Sequence, residues 1–308
     1  MKAIRIEQFG GPEVMQVRDV DTPELQTGEV LVKNFFLGIN PVDYKIREGE
    51  YPEVKQEKLP LTLGREVAGL IEKVGPGVST FKEGDRVFGM IGADGGYAEY
   101  SRVPAEHLAL IPAELDWPAA AGVPLAGHTA WQALVEHGHL EQGQKVLIHG
   151  GTGGVGHFAV QFAKVKGAEV YATASTDSLP FLQELGVDRA IDYKTERFED
   201  ICKDFDLVID LIGGETQARS WQVLGEGGRL ISTLTMPDAH HPQATGKTGA
   251  RFIADPRGEE LTEIAGLIAA GNVQVYIART FELEEAAQAL DFLANGHVQG
   301  KVVLRVRD

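Results

Sequence analysis

The residues most clearly suited to chemistry are the glycines at the start of the stretch HGGTGGVGHFAVQFAKVKGAEVYATAST, residues 149–176. Gly151, Gly153 and Gly156 have the spacing G-x-G-x-x-G. In this spacing the first glycine allows a tight turn, the second lets backbone N–H groups approach a pyrophosphate, and the third lets a helix press against a sheet. The phosphates then lie at the N-terminus of that helix. The pattern predicts a dinucleotide-binding loop, formed by Gly151, Thr152, Gly153, Gly154, Val155 and Gly156.

The elements around the loop support this prediction. The apolar run KVLI, residues 145–148, is typical of a buried parallel strand. Apolar residues then recur at helical spacing, which predicts one amphipathic helix over residues 154–167. AEVYATA, residues 168–174, predicts a second strand. Strand, glycine loop, helix and strand in this order are far more specific than the glycines alone.

The end of the second predicted strand indicates which dinucleotide binds. An NAD-binding unit normally has Asp or Glu there to accept a hydrogen bond from the ribose 2′-hydroxyl, but this chain has Ser175 and Thr176. Hydroxyls can donate hydrogen bonds to a 2′-phosphate, which a carboxylate would repel. The sequence therefore favours NADP(H). Tyr193 is the best further phosphate contact, with Lys194 or Arg189 as possible sources of positive charge.

Composition excludes several classes of function. The chain has 308 residues and a net charge of −16, which argues against binding to nucleic acid or to anionic membranes. No apolar run approaches the roughly 20 residues that span a bilayer. The N-terminal decapeptide MKAIRIEQFG alternates like a strand and lacks the apolar core of a signal peptide, so we expect a cytoplasmic protein. Its one cysteine, Cys202, cannot form an internal disulfide.

Two regions of different pattern suggest two domains. Up to about residue 124, short β-branched runs separated by Gly and Pro predict an antiparallel, barrel-like β unit. From there strands alternate with helices, which predicts a doubly wound parallel sheet. After Gly271 the pattern predicts a strand, a helix and a closing strand. The fold class is thus α/β, with a β-rich domain beside a Rossmann domain.

The chain resembles the medium-chain dehydrogenase/reductase superfamily over nearly its whole length, and within it the zinc-free quinone oxidoreductase and enone reductase branch. The segments that carry the resemblance are GINPVDYKIREGEYP, LPLTLGREVAGLIEKVGPGVSTFKEGDRVFG, GGYAEY, AAAGVPLAGHTAWQAL, KVLIHGGTGGVG, DLIGGET and GKVVLRV. The resemblance implies a GroES-like catalytic domain of residues 1–124 and 273–308, a Rossmann NADP-binding domain of residues 125–272, and an active site in the cleft.

At the places where zinc alcohol dehydrogenases of this superfamily carry metal ligands, this chain has Asn40, Arg65 and Leu125. Asn is a poor zinc ligand, Arg is a permanent cation, and Leu has no donor atom. The four-cysteine structural zinc lobe is absent as well. The histidines at 137, 139, 149, 240 and 241 do not restore a ligand set, so we expect no metal.

The resemblance also implies roles for individual residues. It places Asn40 in the active site as an orienting hydrogen-bonder and Tyr44, Lys45 or Tyr51 as donors to an acceptor oxygen. It also assigns Arg47 to the cleft, but we expect Arg47 and Asp43 to form a structural ion pair rather than to act as catalysts. We likewise expect Arg65 and Glu66 to form a buried pair in place of the metal. The residues expected near the cofactor are Thr129, Leu211, Ile212, Thr233, Leu234 and Lys301.

The expected activity is NADPH-dependent reduction of a quinone or an α,β-unsaturated carbonyl, because such acceptors take up hydride without a Lewis acid. One alternative is an enoyl-thioester reductase. Another is a redox-idle NADPH-binding sensor or structural protein. The partner is a small-molecule substrate, and the resemblance allows a homodimer.

Overall fold

The chain forms two compact units in a computed structural model that describes residues 1–92 and 95–307. The first unit comprises residues 1–128, 256–271 and 275–308, and the second comprises residues 129–255 and 272–274. In chain order the strands are β1 Lys2–Ile6, β2 Gln16–Asp19, β3 Glu29–Ile39, β4 Leu61–Thr62, β5 Glu66–Val74, β6 Arg86–Met90, β7 Tyr100–Pro104, β8 Leu108–Leu110, β9 Lys145–His149, β10 Glu169–Ala174, β11 Arg189–Asp192, β12 Phe205–Asp210, β13 Leu224–Ser232, β14 Thr248–Arg251, β15 Ile277–Glu282 and β16 Lys301–Arg305. The α-helices are α1 Pro41–Glu48, α2 Trp117–Gly122, α3 Pro124–Gln132, α4 Gly156–Val165, α5 Leu179–Glu184, α6 Phe198–Ile201, α7 Gly214–Ser220, α8 Gly258–Ala269 and α9 Ala286–Asn295.

The second unit is built on a six-stranded parallel sheet in the order β11-β10-β9-β12-β13-β14. This order places the first strand of the unit, β9, at the centre, where the strand order reverses. Val146, Leu147 and Ile148 in β9 are fully buried, which explains the continuous apolar run. Binding loops in such sheets follow the carboxyl ends of the strands. The predicted doubly wound sheet is confirmed.

The first unit contains a seven-stranded sheet in the order β15-β16-β3-β5-β6-β8, with β7 also paired to β3, and a three-stranded sheet β2-β1-β4. Its pairs are antiparallel, as predicted, apart from β15 and β16, which run parallel. The inward faces of these strands supply a core that includes Val32, Leu37, Val67 and Val302. Helix α1 starts directly after β3, so the chain turns at Asn40.

Two features differ from the predictions. The helix after the glycine loop begins at Gly156 rather than at residue 154, and residues 156–163 are all buried. This part of the helix is therefore buried on every side, including at its polar residues His157 and Gln161. The structure also groups residues 125–128 and 256–271 with the first unit. Helix α8 packs on β8 there, and the backbone at Gly258 approaches the Leu108 carbonyl so closely that a Cβ would lie 2.3 Å from its oxygen.

Candidate active site

Four groups of the first unit form a buried polar network around the ammonium of Lys301. The Lys301 Nζ donates to Asn40 Oδ1 at 2.6 Å, to Glu66 Oε1 at 2.9 Å and to the Ile39 carbonyl at 3.1 Å. Asn40 Nδ2 donates to the same Glu66 oxygen at 2.7 Å. The backbone N–H of Leu125 donates to Glu66 Oε2 at 2.6 Å. We call Asn40, Glu66, Lys301 and the Leu125 N–H the Lys301 network.

The network changes the interpretation of two predicted site residues. Asn40 is 3% exposed, and both polar atoms of its amide are engaged inside the protein. Lys301 is also 3% exposed, and its three donors all have protein acceptors. In this arrangement Asn40 and Lys301 stabilise the start of α1 and the end of β3. Contact of Asn40 with a substrate and of Lys301 with a cofactor stays a prediction.

Glu66 also fixes the start of α3. Leu125 is the second residue of that helix, whose first backbone N–H groups lack partners within the helix. A carboxylate at this end satisfies one of them and interacts favourably with the helix dipole. Leu125, predicted only as a residue without a metal-binding atom, thus joins the network through its backbone.

Asp43 is fully buried and contacts the Lys301 network through the backbone of Asn40. Its Oδ2 accepts hydrogen bonds from the Tyr97 hydroxyl at 2.8 Å and from the Asn40 backbone N–H at 2.9 Å. Burial raises the pKa of the Asp43 carboxyl to about 6, although both hydrogen bonds and the positive charge of Arg65 favour its ionised form. Asp43 therefore caps α1 and fixes the orientation of Asn40.

The two arginines have different partners from those expected. Arg47 forms ion pairs with Glu48 and, at 3.4 Å, with Asp291 of α9, so the predicted pair with Asp43 is wrong. The predicted pair of Arg65 with Glu66 is also wrong, because the Glu66 carboxylate pairs with Lys301. The Arg65 guanidinium lies over the Tyr51 ring, 5.1 Å from its centroid, and donates to the Gly92 carbonyl at 3.3 Å.

Tyr44 and Tyr51 are partly buried and pack against the core of the first unit. Burial raises the pKa of the Tyr44 hydroxyl, and the charges of Glu48 and Glu50 raise it further, so this hydroxyl keeps its proton. The cation over the Tyr51 ring restricts that side chain. Lys45 is also partly buried. These three side chains are suited to hydrogen-bond donation, and their contact with an acceptor oxygen stays a prediction.

The glycine loop of the second unit has the predicted location between β9 and α4, but the structural roles of the individual glycines differ from those predicted. The left-handed residue is Gly150, with φ of 73°, rather than Gly151. Gly151 is required by packing, because a Cβ there would lie 2.7 Å from Ala172 Cβ. At Gly156 a Cβ would lie 2.1 Å from the Gly150 carbonyl oxygen.

Gly153 is the position that fits a ligand. A Cβ there would meet only the Gly150 carbonyl oxygen, at an ordinary 3.6 Å, so packing does not demand glycine. Its own N–H donates to that carbonyl at 3.2 Å. Close approach by a phosphate is the remaining physical reason for glycine. The loop and the start of α4 thus fit the pyrophosphate of a dinucleotide.

At the end of β10 the structure shows a carboxylate that the sequence analysis missed. Thr176 Oγ1 donates to Asp192 Oδ2 at 2.6 Å, and this bond is the main cause of the lowered pKa of Asp192. Asp192 ends β11, opposite Ala174 of β10. The parallel register of these strands was the signal that could have found it. Ser175 is buried and donates to Ser178 Oγ at 3.2 Å, whereas Tyr193 is 52% exposed.

The remaining predicted cofactor contacts follow the carboxyl ends of β12 and β13. Leu211 and Ile212 come directly after β12, and Thr233 and Leu234 come directly after β13. Asp210, which the sequence analysis also missed, holds these turns. Its carboxylate accepts from the N–H groups of residues 212 and 213, from Gln217 Nε2 and from Ser232 Oγ, at 2.8 to 3.1 Å. Thr129 is a buried residue of α3.

The side chains around Asn40 do not fit a zinc ion. The centre of the cluster is the Lys301 ammonium, which would repel a divalent cation. Within residues 1–92 and 95–307, no group of three or more His, Cys, Asp or Glu side chains could hold a metal. Likewise, no helix in this part of the chain is both long and apolar enough to cross a membrane.

Comparison with known proteins gives consistent matches along the chain. The model of the alcohol dehydrogenase GroES-like domain matches residues 26–113, and that of the zinc-binding dehydrogenase family matches residues 185–304. The chain is 35% identical to the NADPH-dependent alkenal/one oxidoreductase of Arabidopsis thaliana, over 99% of this chain and 79% of that protein. It is 33% identical to the quinone oxidoreductase of Rattus norvegicus, over 99% of this chain and 97% of that protein.

A solved structure extends the match to the fold. The quinone oxidoreductase of Coxiella burnetii superposes with a TM-score of 0.94 at 36% identity, covering 100% of this chain and 99% of that one. The sheet order, the glycine loop and these full-length similarities agree with one another. The chain therefore belongs to the medium-chain dehydrogenase/reductase superfamily, in the branch of the quinone oxidoreductases and enone reductases.

Proposed function

We propose that the chain is an NADPH-dependent oxidoreductase that reduces quinones or α,β-unsaturated carbonyls. The observation that carries the proposal is the glycine loop. It precedes the helix that follows the first strand of a sheet of Rossmann order, and packing does not require glycine at position 153. Relatives that cover nearly the whole chain are a quinone oxidoreductase and an NADPH-dependent alkenal/one oxidoreductase.

Thr152, Gly154, Val155 and Gly156 would hold the pyrophosphate. The N–H groups of Gly150, Gly151 and Gly153 already donate to protein acceptors, so the other amides of the loop are the ones suited to the ligand. Ser175, Thr176 and Tyr193 would contact the 2′-phosphate. Thr129, Leu211, Ile212, Thr233 and Leu234 would line the nicotinamide.

Bound NADPH would supply the hydride that an electron-poor carbon of the acceptor takes up. The protein would orient the acceptor and donate a hydrogen bond to its oxygen as negative charge develops there. Tyr44, Lys45 and Tyr51 are the donors we propose. Because Tyr44 stays protonated and Arg65 restricts Tyr51, both hydroxyls are suited to this role without a metal.

The test is oxidation of NADPH and NADH by the purified protein, with and without EDTA, in the presence of benzoquinone, phenanthrenequinone, an alkyl enone, an enoyl thioester or no acceptor. We expect NADPH consumption with a quinone or an enone, unchanged by the chelator. Preferred consumption with the enoyl thioester would change the substrate class. Binding of NADPH without turnover of any acceptor would make the protein a sensor or structural protein. Tyr51→Phe should lower kcat about tenfold if its hydroxyl contacts the acceptor.

We also propose a cytoplasmic homodimer. The charge of −16 and the single, buried cysteine support a reducing, aqueous compartment. Strand β14 is an edge of the parallel sheet, and the apolar side chains of Met236 and Ile253 near it are 63% and 48% exposed. Light scattering measures the mass in solution of the unaltered chain and of Met236→Asp. We expect a dimer for the unaltered chain and a weaker dimer for the variant, because the substitution places a charge on this apolar surface.

A further inference from the structure

His149 ends β9, directly before the glycine loop, and is 1% exposed. Both nitrogens of its ring have partners. Nδ1 lies 3.3 Å from Thr173 Oγ1 in β10, and Nε2 lies 3.0 Å from Ser220 Oγ at the end of α7. The proposed reaction uses none of these three side chains. The sequence predicts no metal-binding role for His149.

The hydrogen bonds around His149 settle where its proton lies. Ser220 Oγ donates its only proton to the Thr216 carbonyl at 2.7 Å, so Nε2 of His149 must be the donor to Ser220. A neutral ring then has Nδ1 as an acceptor, and the Thr173 hydroxyl is the donor within reach. Burial lowers the pKa of His149 to about 4, which keeps the ring neutral.

Thr173 connects this histidine to the loop. Its Oγ1 accepts the Gly150 N–H at 3.1 Å, and its carbonyl accepts the Gly151 N–H at 3.0 Å. Gly150 is the left-handed residue of the loop. The direction of every bond follows: Gly150 N–H to Thr173 Oγ1, Thr173 hydroxyl to His149 Nδ1, His149 Nε2–H to Ser220 Oγ, and Ser220 hydroxyl to the Thr216 carbonyl. We call this series the His149 relay.

We propose that His149 is a positioning residue for the cofactor, acting through the Thr173 hydroxyl to hold Gly150 and the phosphate-binding loop in their binding conformation. This inference rests on the proposed NADPH site and deepens it. His149 is buried and is linked to the loop through Thr173, so its effect on the cofactor is indirect. Loss of the relay should therefore weaken NADPH binding and leave the chemistry of the bound complex unchanged.

Two substitutions at His149 separate positioning from general stability. In His149→Asn the amide oxygen replaces Nδ1 and can accept the Thr173 proton, whereas in His149→Gln the amide nitrogen replaces Nε2 and keeps only the bond to Ser220. Thr173→Val removes the hydroxyl with little change of shape. We expect the KM and the Kd for NADPH to rise about tenfold in His149→Gln and Thr173→Val, within twofold of the original value in His149→Asn, and kcat to change less than twofold in all three.

Thr262→Val is the matched control, because Thr262 Oγ1 donates only to the Gly258 carbonyl within α8 of the first unit. Thermal unfolding checks that each variant is folded, and NADPH fluorescence gives Kd without any acceptor. Equal effects of the Asn and Gln variants, or an unchanged Kd in Thr173→Val, would overturn the proposal. If the unaltered chain binds NADPH but reduces no acceptor, the proposed activity fails while these Kd values still decide the role of His149. Absence of NADPH binding would overturn both.

Discussion

The Lys301 ammonium lies 2.9 Å from the Glu66 carboxylate, and the two side chains are 3% and 0% exposed. A buried charge is costly unless it is paired and its remaining hydrogen-bonding groups are satisfied. Here the Asn40 amide and the Leu125 N–H complete the set. The pair joins residues 235 positions apart, so it ties the closing strand β16 to β5 near the start of α1.

Replacing Lys301 by Met should destabilise the protein by about 3–5 kcal/mol, because the Glu66 carboxylate then remains buried without its counter-charge. Urea unfolding at neutral pH measures this change. In the double variant Lys301→Met with Glu66→Gln we expect part of the loss to be recovered. If the double variant loses the sum of the two single losses, the pair does not act as a unit.

Gly38→Ala should disrupt the same cluster for a steric reason. A Cβ at position 38 would lie 1.9 Å from Glu66 Oε1 and 2.5 Å from the Ala121 carbonyl oxygen. Neither the ion-paired carboxylate nor the backbone can move away cheaply, so we expect a loss of roughly 1–3 kcal/mol or more in the free energy of unfolding.

Gly266→Ala is the control for this substitution. Gly266 lies within α8 and nothing approaches the position that its Cβ would occupy. There the exchange should stabilise the helix by up to about 1 kcal/mol. Similar unfolding midpoints for Gly38→Ala and the unaltered chain would show that the region around Glu66 adapts easily.

The sequence was sufficient for the Rossmann unit because its signals are local. The apolar run of β9, the glycines and the next strand lie within about thirty residues and specify neighbouring elements. The Lys301 network could not be predicted in this way. Residue type shows that Asn40 can bind a substrate, but only the fold shows that Lys301 and Glu66 already occupy both ends of its amide.

The glycine loop shows the same limit on a smaller scale. The spacing of three glycines predicted a loop where the structure has one, between β9 and α4, but the left-handed conformation lies at Gly150. Asp192 was missed because it comes from a neighbouring strand rather than from the end of β10. Pairings between strands are set by the whole sheet, and the sequence near Ser175 does not contain them.

Asp192→Asn should strengthen the preference for NADPH over NADH. The Asp192 carboxylate is held beside Thr176, so its negative charge opposes a 2′-phosphate bound at Ser175 and Thr176. Asparagine keeps an acceptor for the Thr176 hydroxyl and removes the charge. We expect the KM for NADPH to fall and the KM for NADH to stay nearly constant, as steady-state kinetics with both cofactors would show.

Asp188→Asn serves as the control, because Asp188 precedes β11 and its carboxylate pairs with Lys164. That change should leave the ratio of the two KM values unaltered. An equal fall of both KM values in Asp192→Asn would mean that the 2′-phosphate lies elsewhere.

The buried ring of His149 predicts a specific dependence of stability on pH. Its pKa is about 4 in the folded protein, with burial as the main cause, whereas an unfolded histidine titrates near 6.5. Between these values the unfolded chain binds more protons, so the contribution of His149 to the free energy of unfolding falls as the pH falls from about 6.5 to about 4. Asp43 has its pKa raised to about 6, so at pH values just below 6 the folded state holds a proton that the unfolded chain has lost. Its contribution to the free energy of unfolding therefore rises as the pH falls, opposite to that of His149.

Comparison with His149→Asn, in which Asp43 is unchanged, isolates the contribution of the histidine. Denaturant unfolding from pH 7 to pH 4 should show the stability advantage of the unaltered chain over this variant shrinking by a few kcal/mol. A constant difference across that range would mean that the His149 ring binds protons equally in the folded and the unfolded states, so that burial does not keep it neutral as the relay requires.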